Sequence, residues 1–335
     1  MSPGPSPELF FTTITAYQRT AALVGALELD LFTAIGEGRT SVPALAERVR
    51  ASQRGVRILC DYLTTAGFLT KSGGGYALTP DTATFLDRRS PAYLGDAASF
   101  IASPHLYEGF RDVAAAVRRD GTAMAAGGTV APDHPVWGDF ARVMLPSARP
   151  AADAMATALA VDGARPVRVL DVAAGHGAFG IALARRHANV DVTALDWPRA
   201  LDAARANAQR AALGSRYRTI AGDAFDVDWG TGYDVVLLAN FLHHWSVGEC
   251  ERLARKARAV LVAGGRAVTV EFVPNDDRVT PPAAASFALV MLCTTPDGDA
   301  YTFAEYDRIF RTAGFASSEM VPLPPTMQQL IVSST

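Results

Sequence analysis

From residue 166 onward, short runs of apolar residues alternate with longer stretches whose apolar positions recur at helical spacing. VRVLDV, VDVTALD, YRTIAGD, YDVVLLAN and GRAVTVEFV have the strand-like character. AFGIALARRH, PRALDAARANAQRAAL and VGECERLARKARAVL lie between them as amphipathic helices. Nearly continuous apolar strands interleaved with such helices predict an α/β domain, its parallel sheet covered on both faces. Ligands of such sheets gather at the C-terminal strand ends, near the switch in strand order.

The first third of the chain has a different pattern. Residues 8–35 carry apolar positions at helical spacing. SVPALAERV predicts a short helix opened by Ser41, with Pro43 in its first turn. SQRGVRILCDYLTTAGFL predicts a second helix ending near Gly67, and LTKSGGGYALT alternates around a glycine turn as a two-stranded wing does. Helix, turn, helix, wing is the winged-helix pattern, and it sets off residues 1–95 as one domain. Binding of DNA through the second helix would rest on Gln53, Arg54 and Arg57, with Lys71 from the wing, a thin footprint for phosphates. The strongly apolar first helix favours packing and dimer formation instead. Residues 96–160 read as a helical connector whose loops can wall a pocket, and residues 161–335 as the second domain.

Composition narrows the partners. The chain has 335 residues, 49% hydrophobic, enough for two cores, and a formal net charge of -3 that disfavours nucleic acid and anionic lipid. Cys60, Cys250 and Cys293 lie far apart, which predicts buried thiols in a reducing compartment rather than metal ligands or disulfides. The opening residues lack the features of a signal peptide, and the apolar runs are too short to cross a bilayer. A cytoplasmic protein without a metal, nucleic-acid or membrane partner is expected.

The chemistry gathers at the strand ends. VLDVAAGHGAFG places Asp171, Gly175, Gly177 and Gly180 between the first strand of the alternating region and its helix. Glycines let a ligand approach the backbone closely, and a helix N-terminus follows. No Lys-Ser/Thr pair follows, so this is not a P-loop. Gly175 to Gly180 spells the dinucleotide string, but Asp171 ahead of it would repel a pyrophosphate and suits an ammonium group. The second strand ends in Asp196, within ALDWP, where a carboxylate can accept from two ribose hydroxyls and Trp197 can lie along an adenine. The third ends in AGDAF, where Asp223 can accept from the adenine amino group and Phe225 can cover the ring. Each acid alone reads as a helix cap; three at successive strand ends point to a nucleoside ligand.

Taken together, VLDVAAGHG, ALDWP, AGDAF and LHHW resemble the class I S-adenosylmethionine (SAM)-dependent O-methyltransferases that carry an N-terminal winged-helix dimerisation domain. Plant caffeate and flavonoid enzymes, hydroxyindole enzymes and bacterial polyketide-tailoring enzymes belong to that group. The resemblance spans the whole chain. It implies a Rossmann-like methyltransferase domain after a mainly helical dimerisation domain, SAM as cofactor, a small aromatic substrate and a homodimer formed through the N-terminal domain. By resemblance Gly175 and Gly177 border the methionine part of SAM, Asp196 the ribose, and Asp223, Ala224 and Phe225 the adenine. Asp171, Trp197 and Asn240 complete the expected cofactor set. Two residues depart from the pattern: Ala173 stands where the motif has glycine, and His176 replaces a small residue.

LLANFLHHWSVGEC then ends an apolar strand at Asn240 and places two histidines before a helix. Ser246 and Glu249 fit a capping box, so His243, His244 and Trp245 occupy the turn between strand and helix. A phenol, with a pKa of about 10, is a poor nucleophile until a base takes its proton, and an imidazole of reference pKa about 6.5 suits that work. In the family that the chain resembles, the base is the histidine of an HDW-like triplet, a register that falls on His243. His244 stands where aspartate is usual, and Trp245 is a packing residue. Glu271, in VTVEFVP, matches the first acidic partner of the base. The second falls on Ala300, with Asp299 as the nearest substitute. Phe140, Met144, Phe287, Met291 and His105 are candidate acceptor contacts, and Tyr17 a residue that could reach a partner's pocket. Three alternatives stay open: a structural His243, transfer to nitrogen, carbon or sulfur, and a non-catalytic regulator that senses a ligand.

Overall fold

Ser41 accepts a hydrogen bond from the Ala44 N–H (3.4 Å) and Ser52 one from the Gly55 N–H (3.1 Å), opening the helices Val42–Arg48 and Gln53–Thr65. Gly73 and Gly74, both at positive φ, form the two-residue turn between strands β1 (Leu69–Ser72) and β2 (Gly75–Leu78). Positive φ at both central positions matches the strand twist, and glycine reaches it without strain. These elements belong to the first of two units, up to Ala102, in a computed structural model that describes residues 4–335. Phe32, Leu45, Val56, Leu63 and Tyr76 form its core. The Arg57 and Lys71 cations both pair with Asp61, at 3.0 and 2.6 Å. Helix Glu8–Ile14 buries none of its residues, and Leu9, Phe10, Phe11, Ile14 and Tyr17 are exposed.

The second unit runs from Ser103 to Thr335 and holds a seven-stranded sheet. Its strands are β3 (Val167–Val172), β4 (Val190–Asp196), β5 (Tyr217–Ala221), β6 (Tyr233–Leu237), β7 (Leu261–Glu271), β8 (Ser317–Pro322) and β9 (Gln329–Ser334). They lie in the order β5-β4-β3-β6-β7-β9-β8, all pairs parallel except the two made by β9. Val169, Val192, Leu237 and Val268 enter one core cluster, Leu170, Leu195, Val236 and Ala267 another. Residues alternating along each strand thus bury on opposite faces, which explains why the strands are apolar throughout. Strand order reverses beside β3, and ligands of such sheets settle beyond the C-terminal strand ends at that point.

The helices of residues 103–160 fall within this second unit; Leu145–Ala158 contributes Ala152, Met155 and Ala156 to its core. Among the described residues no helix is long and apolar enough to cross a membrane.

Candidate active site

Beyond β3 the chain turns through Ala173, Gly175 and Gly177, at φ of 53°, 54° and 74°, and helix Ala178–Arg186 begins. A side chain at Gly175 would meet the Phe140 ring at 3.2 Å, and one at Gly180 would meet the Asp171 carboxylate at 2.8 Å. Ala173 holds the same left-handed geometry with a methyl group, at a cost of roughly 1–2 kcal/mol. Asp171 is 2% exposed, and its Oδ2 accepts from the Gly180 N–H (3.0 Å). Burial pushes its carboxyl up to about 7, against the pull of that one hydrogen bond. At the tip of β4, Asp196 accepts from the N–H groups of Gly175 (2.7 Å) and Trp197 (2.6 Å); desolvation pushes it up to about 6. Both carboxylates are short of donors for stable anions, and a ligand that brings hydroxyls or a cation would supply them.

After β5 the loop at residues 222–227 is held from below. Lys256, on helix Val247–Val260, donates to the carbonyls of Ala224 (2.9 Å), Phe225 (3.0 Å) and Val227 (2.7 Å). An ammonium has three donors to match three carbonyls, which a planar guanidinium fork would not. Asp223 accepts from the Phe225 N–H (2.8 Å), and the Phe225 ring meets Trp245 edge-on at 4.7 Å. Trp197 opens helix Pro198–Arg210 as its half-buried first cap residue. Asn240, at φ 52°, accepts at Oδ1 from Gln328 Nε2.

Beyond β6, His243 and His244 lie in the short turn Leu242–His244, and Ser246 opens the next helix with the expected capping box. Glu271, the fully buried last residue of β7, reaches the turn from the neighbouring strand. Its Oε1 accepts from the N–H groups of Phe241 and Leu242 (3.1 Å each), and its Oε2 lies 2.5 Å from His243 Nδ1. Burial pushes Glu271 up and His243 down to about 3, while the backbone N–H groups favour the carboxylate. The His243 proton therefore sits on Nδ1, and Nε2 presents a lone pair. His244 Nε2 lies 3.1 Å from that atom. The carbonyls of Leu242, His243 and Trp245 accept from Cys250 Sγ (3.1 Å), the Asp299 N–H (3.0 Å) and the Tyr301 hydroxyl (2.6 Å).

Asp299 does not substitute for the second acidic partner. It contributes that backbone N–H, while its carboxylate pairs with Arg278 (3.2 Å) and Ala300 is buried. The histidine is left with one acid instead of two.

Aromatic rings connect the two halves of the site. Phe140 stacks on His176 (5.2 Å) and meets Trp137 (5.8 Å); Trp137 meets His244 (5.0 Å); His243 meets Phe287 (4.8 Å), which meets Phe272 (4.6 Å). Phe140, Trp137 and His244 thus join His243 to the glycine loop, and Phe287 packs against His243. Met291 is buried on the helix that carries Phe287, and Met144 ends the helix that carries Phe140. His105 is exposed, and its ring meets His134 rather than either histidine of the turn. His176 is buried and caps the helix start, its Nδ1 accepting from the Ala178 N–H (3.2 Å). Lys256, Trp137 and Gln328 were not foreseen; the one signal was that Lys256 is one of only two lysines in a chain with 31 Lys and Arg.

Comparison with known proteins gives this geometry a setting. A family profile for an O-methyltransferase domain matches residues 132–316, and one for an O-methyltransferase dimerisation domain matches residues 11–88. The chain is 29% identical, over 321 residues, to 3-hydroxy-5-methyl-1-naphthoate 3-O-methyltransferase of Streptomyces sahachiroi, covering 92% of this chain and 89% of that one. It is similar to a crystal structure from Nostoc punctiforme PCC 73102 assigned as an O-methyltransferase, with 50% identity, a TM-score of 0.96 and coverage of 99% and 100%. Human N-acetylserotonin methyltransferase, solved in complex with SAM, shares the fold at 21% identity, with a TM-score of 0.85 and coverage of 100% and 99%.

Proposed function

The chain belongs to the O-methyltransferase family, and from that premise we propose that it moves the methyl group of SAM to a hydroxyl of a small aromatic metabolite. Bound SAM supplies an electrophilic methyl carbon. Asp171, Gly175 and Gly177 would hold its methionine part, and Asp196 the ribose. Trp197, Asp223, Ala224, Phe225 and Asn240 would enclose the adenine end. Two donor-poor carboxylates support this reading, because the ligand brings both a cation and hydroxyls. The single observation that carries the chemistry is the His243 imidazole, fixed by Glu271 at 2.5 Å so that Nε2 is basic. His243 is the general base, Glu271 orients it, and Phe140, Phe287, Met144 and Met291 shape the acceptor pocket. The exposed Leu9, Phe10, Phe11, Ile14 and Tyr17 would be covered by a second copy in the homodimer.

The test is incubation of the protein with methyl-labelled SAM and a panel of phenols, anilines and thiols, read by mass spectrometry. Label on a phenol oxygen is the expected outcome. Label confined to anilines or thiols, or retained entirely on SAM, would defeat the reading.

A further inference from the structure

His243 is closed off on both sides. It is 4% exposed, Glu271 takes its Nδ1, and His244 Nε2 meets its Nε2 at 3.1 Å. Two ring nitrogens facing each other at that distance share one hydrogen. The Glu271 carboxylate keeps the His243 hydrogen on Nδ1, so the shared hydrogen belongs to His244 Nε2, which donates. A neutral imidazole carries one such hydrogen. His244 Nδ1 is then a bare lone pair, and it is buried with no hydrogen-bond partner among the described residues. The His244 ring packs edge-on against Trp137, midway along the line of rings. The unpartnered basic atom of the turn is therefore on His244.

We propose that His244 Nδ1 takes the proton of the acceptor hydroxyl and hands its own Nε2 proton to His243. The acceptor O–H breaks as an N–H forms at His244 Nδ1; the His244 Nε2–H breaks as one forms at His243 Nε2. The freed oxygen pair forms the bond to the methyl carbon, and the C–S pair stays on sulfur. Direction follows from charge: an imidazolium at His243 has a carboxylate beside it, whereas one at His244 has only neutral rings. His244 becomes a catalytic residue, and His243 acts through it. This rests on the O-methylation reading and adds the atom that touches the acceptor.

The deciding experiment compares wild type with His244→Gln and His244→Ala on phenols of graded acidity, with SAM affinity and melting temperature measured for each. A glutamine amide can donate to His243 as the imidazole does but cannot pass a proton on. Both variants should lose kcat by about a hundredfold or more, with SAM affinity unchanged. Added imidazole should restore part of the Ala variant's turnover. The deficit should shrink toward none for a nitrophenol already ionised at the assay pH. Wild-type turnover in either variant would overturn the relay and leave His244 as a spacer that the acceptor displaces. An equal deficit for ionised and un-ionised phenols would overturn it as well, marking a structural role. Wild type that binds SAM yet methylates no phenol would remove the underlying reading too, and that failure shows before any variant is made.

Discussion

Three acids, Asp171 and Glu271 buried and Asp196 partly exposed, stand at the strand ends of one sheet, and they are provisioned differently. Asp171 and Asp196 hold one and two backbone N–H groups. Glu271 has two N–H groups and an imidazole, all from its own chain. Burial raises all three carboxyls, but only Glu271 has a partner within the protein that can answer its charge. The half of the site around Asp171 and Asp196 is therefore left for a ligand to complete, whereas the half around His243 is assembled in advance. Preassembly suits chemistry, where reorganisation during the reaction is costly; incompleteness suits binding, where the ligand's own donors supply the affinity.

If the halves are independent, His243→Ala should lower kcat by about 10²- to 10⁴-fold while leaving SAM affinity within about twofold by calorimetry. A parallel loss of affinity would merge the two regions. Asp171→Asn tests the donor-poor half without ligand. The folded Asp171 keeps its proton up to about pH 7, whereas the unfolded carboxyl loses it near 4, so this group makes the folded state less stable as pH rises between those values. The stability gained by Asn over wild type should grow by about 2–4 kcal/mol across that window in urea titrations. A difference that stays flat would mean Asp171 is not short of partners. Asp196→Ala should weaken SAM by about 10- to 100-fold through two lost charge-assisted hydrogen bonds, with the single-turnover rate at saturating SAM little changed. The smallest effect is expected from Lys256→Met, which takes the ammonium from the Phe225 and Val227 carbonyls while Ala224 keeps the Trp229 indole N–H: about 1 kcal/mol of stability and a several-fold weaker grip on SAM.

What could be read from the sequence was what local spacing encodes. The parallel sheet followed from apolar runs, the wing from SGGG, and the positions of His243 and Glu271 from where two neighbouring strands stop. The glycine loop showed in its own twelve residues. Contacts between distant segments left no comparable trace. Lys256 acts on carbonyls 29 to 32 residues away, and Gln328 reaches Asn240 across 88. Trp137 gains its place only because helix Pro135–Val143 folds within the same unit as the sheet. Within the expected connector, residues 96–102 cluster with the first unit and residues 103–160 with the second, where Leu145–Ala158 has its apolar partners. His176 is the exception, since its bond to Ala178 is two residues away and the motif just before a helix start was open to that reading.

The turn that carries the paired imidazoles has its backbone pinned by Glu271, Cys250, Asp299, Tyr301 and the Ser246 cap, and none of these bonds uses a side chain at 243 or 244 except the one from Glu271 to His243. Position 244 is in consequence a place where a substitution leaves the backbone anchors of the turn intact. A saturation library there would keep those anchors while varying what packs on Trp137 and what meets His243 Nε2.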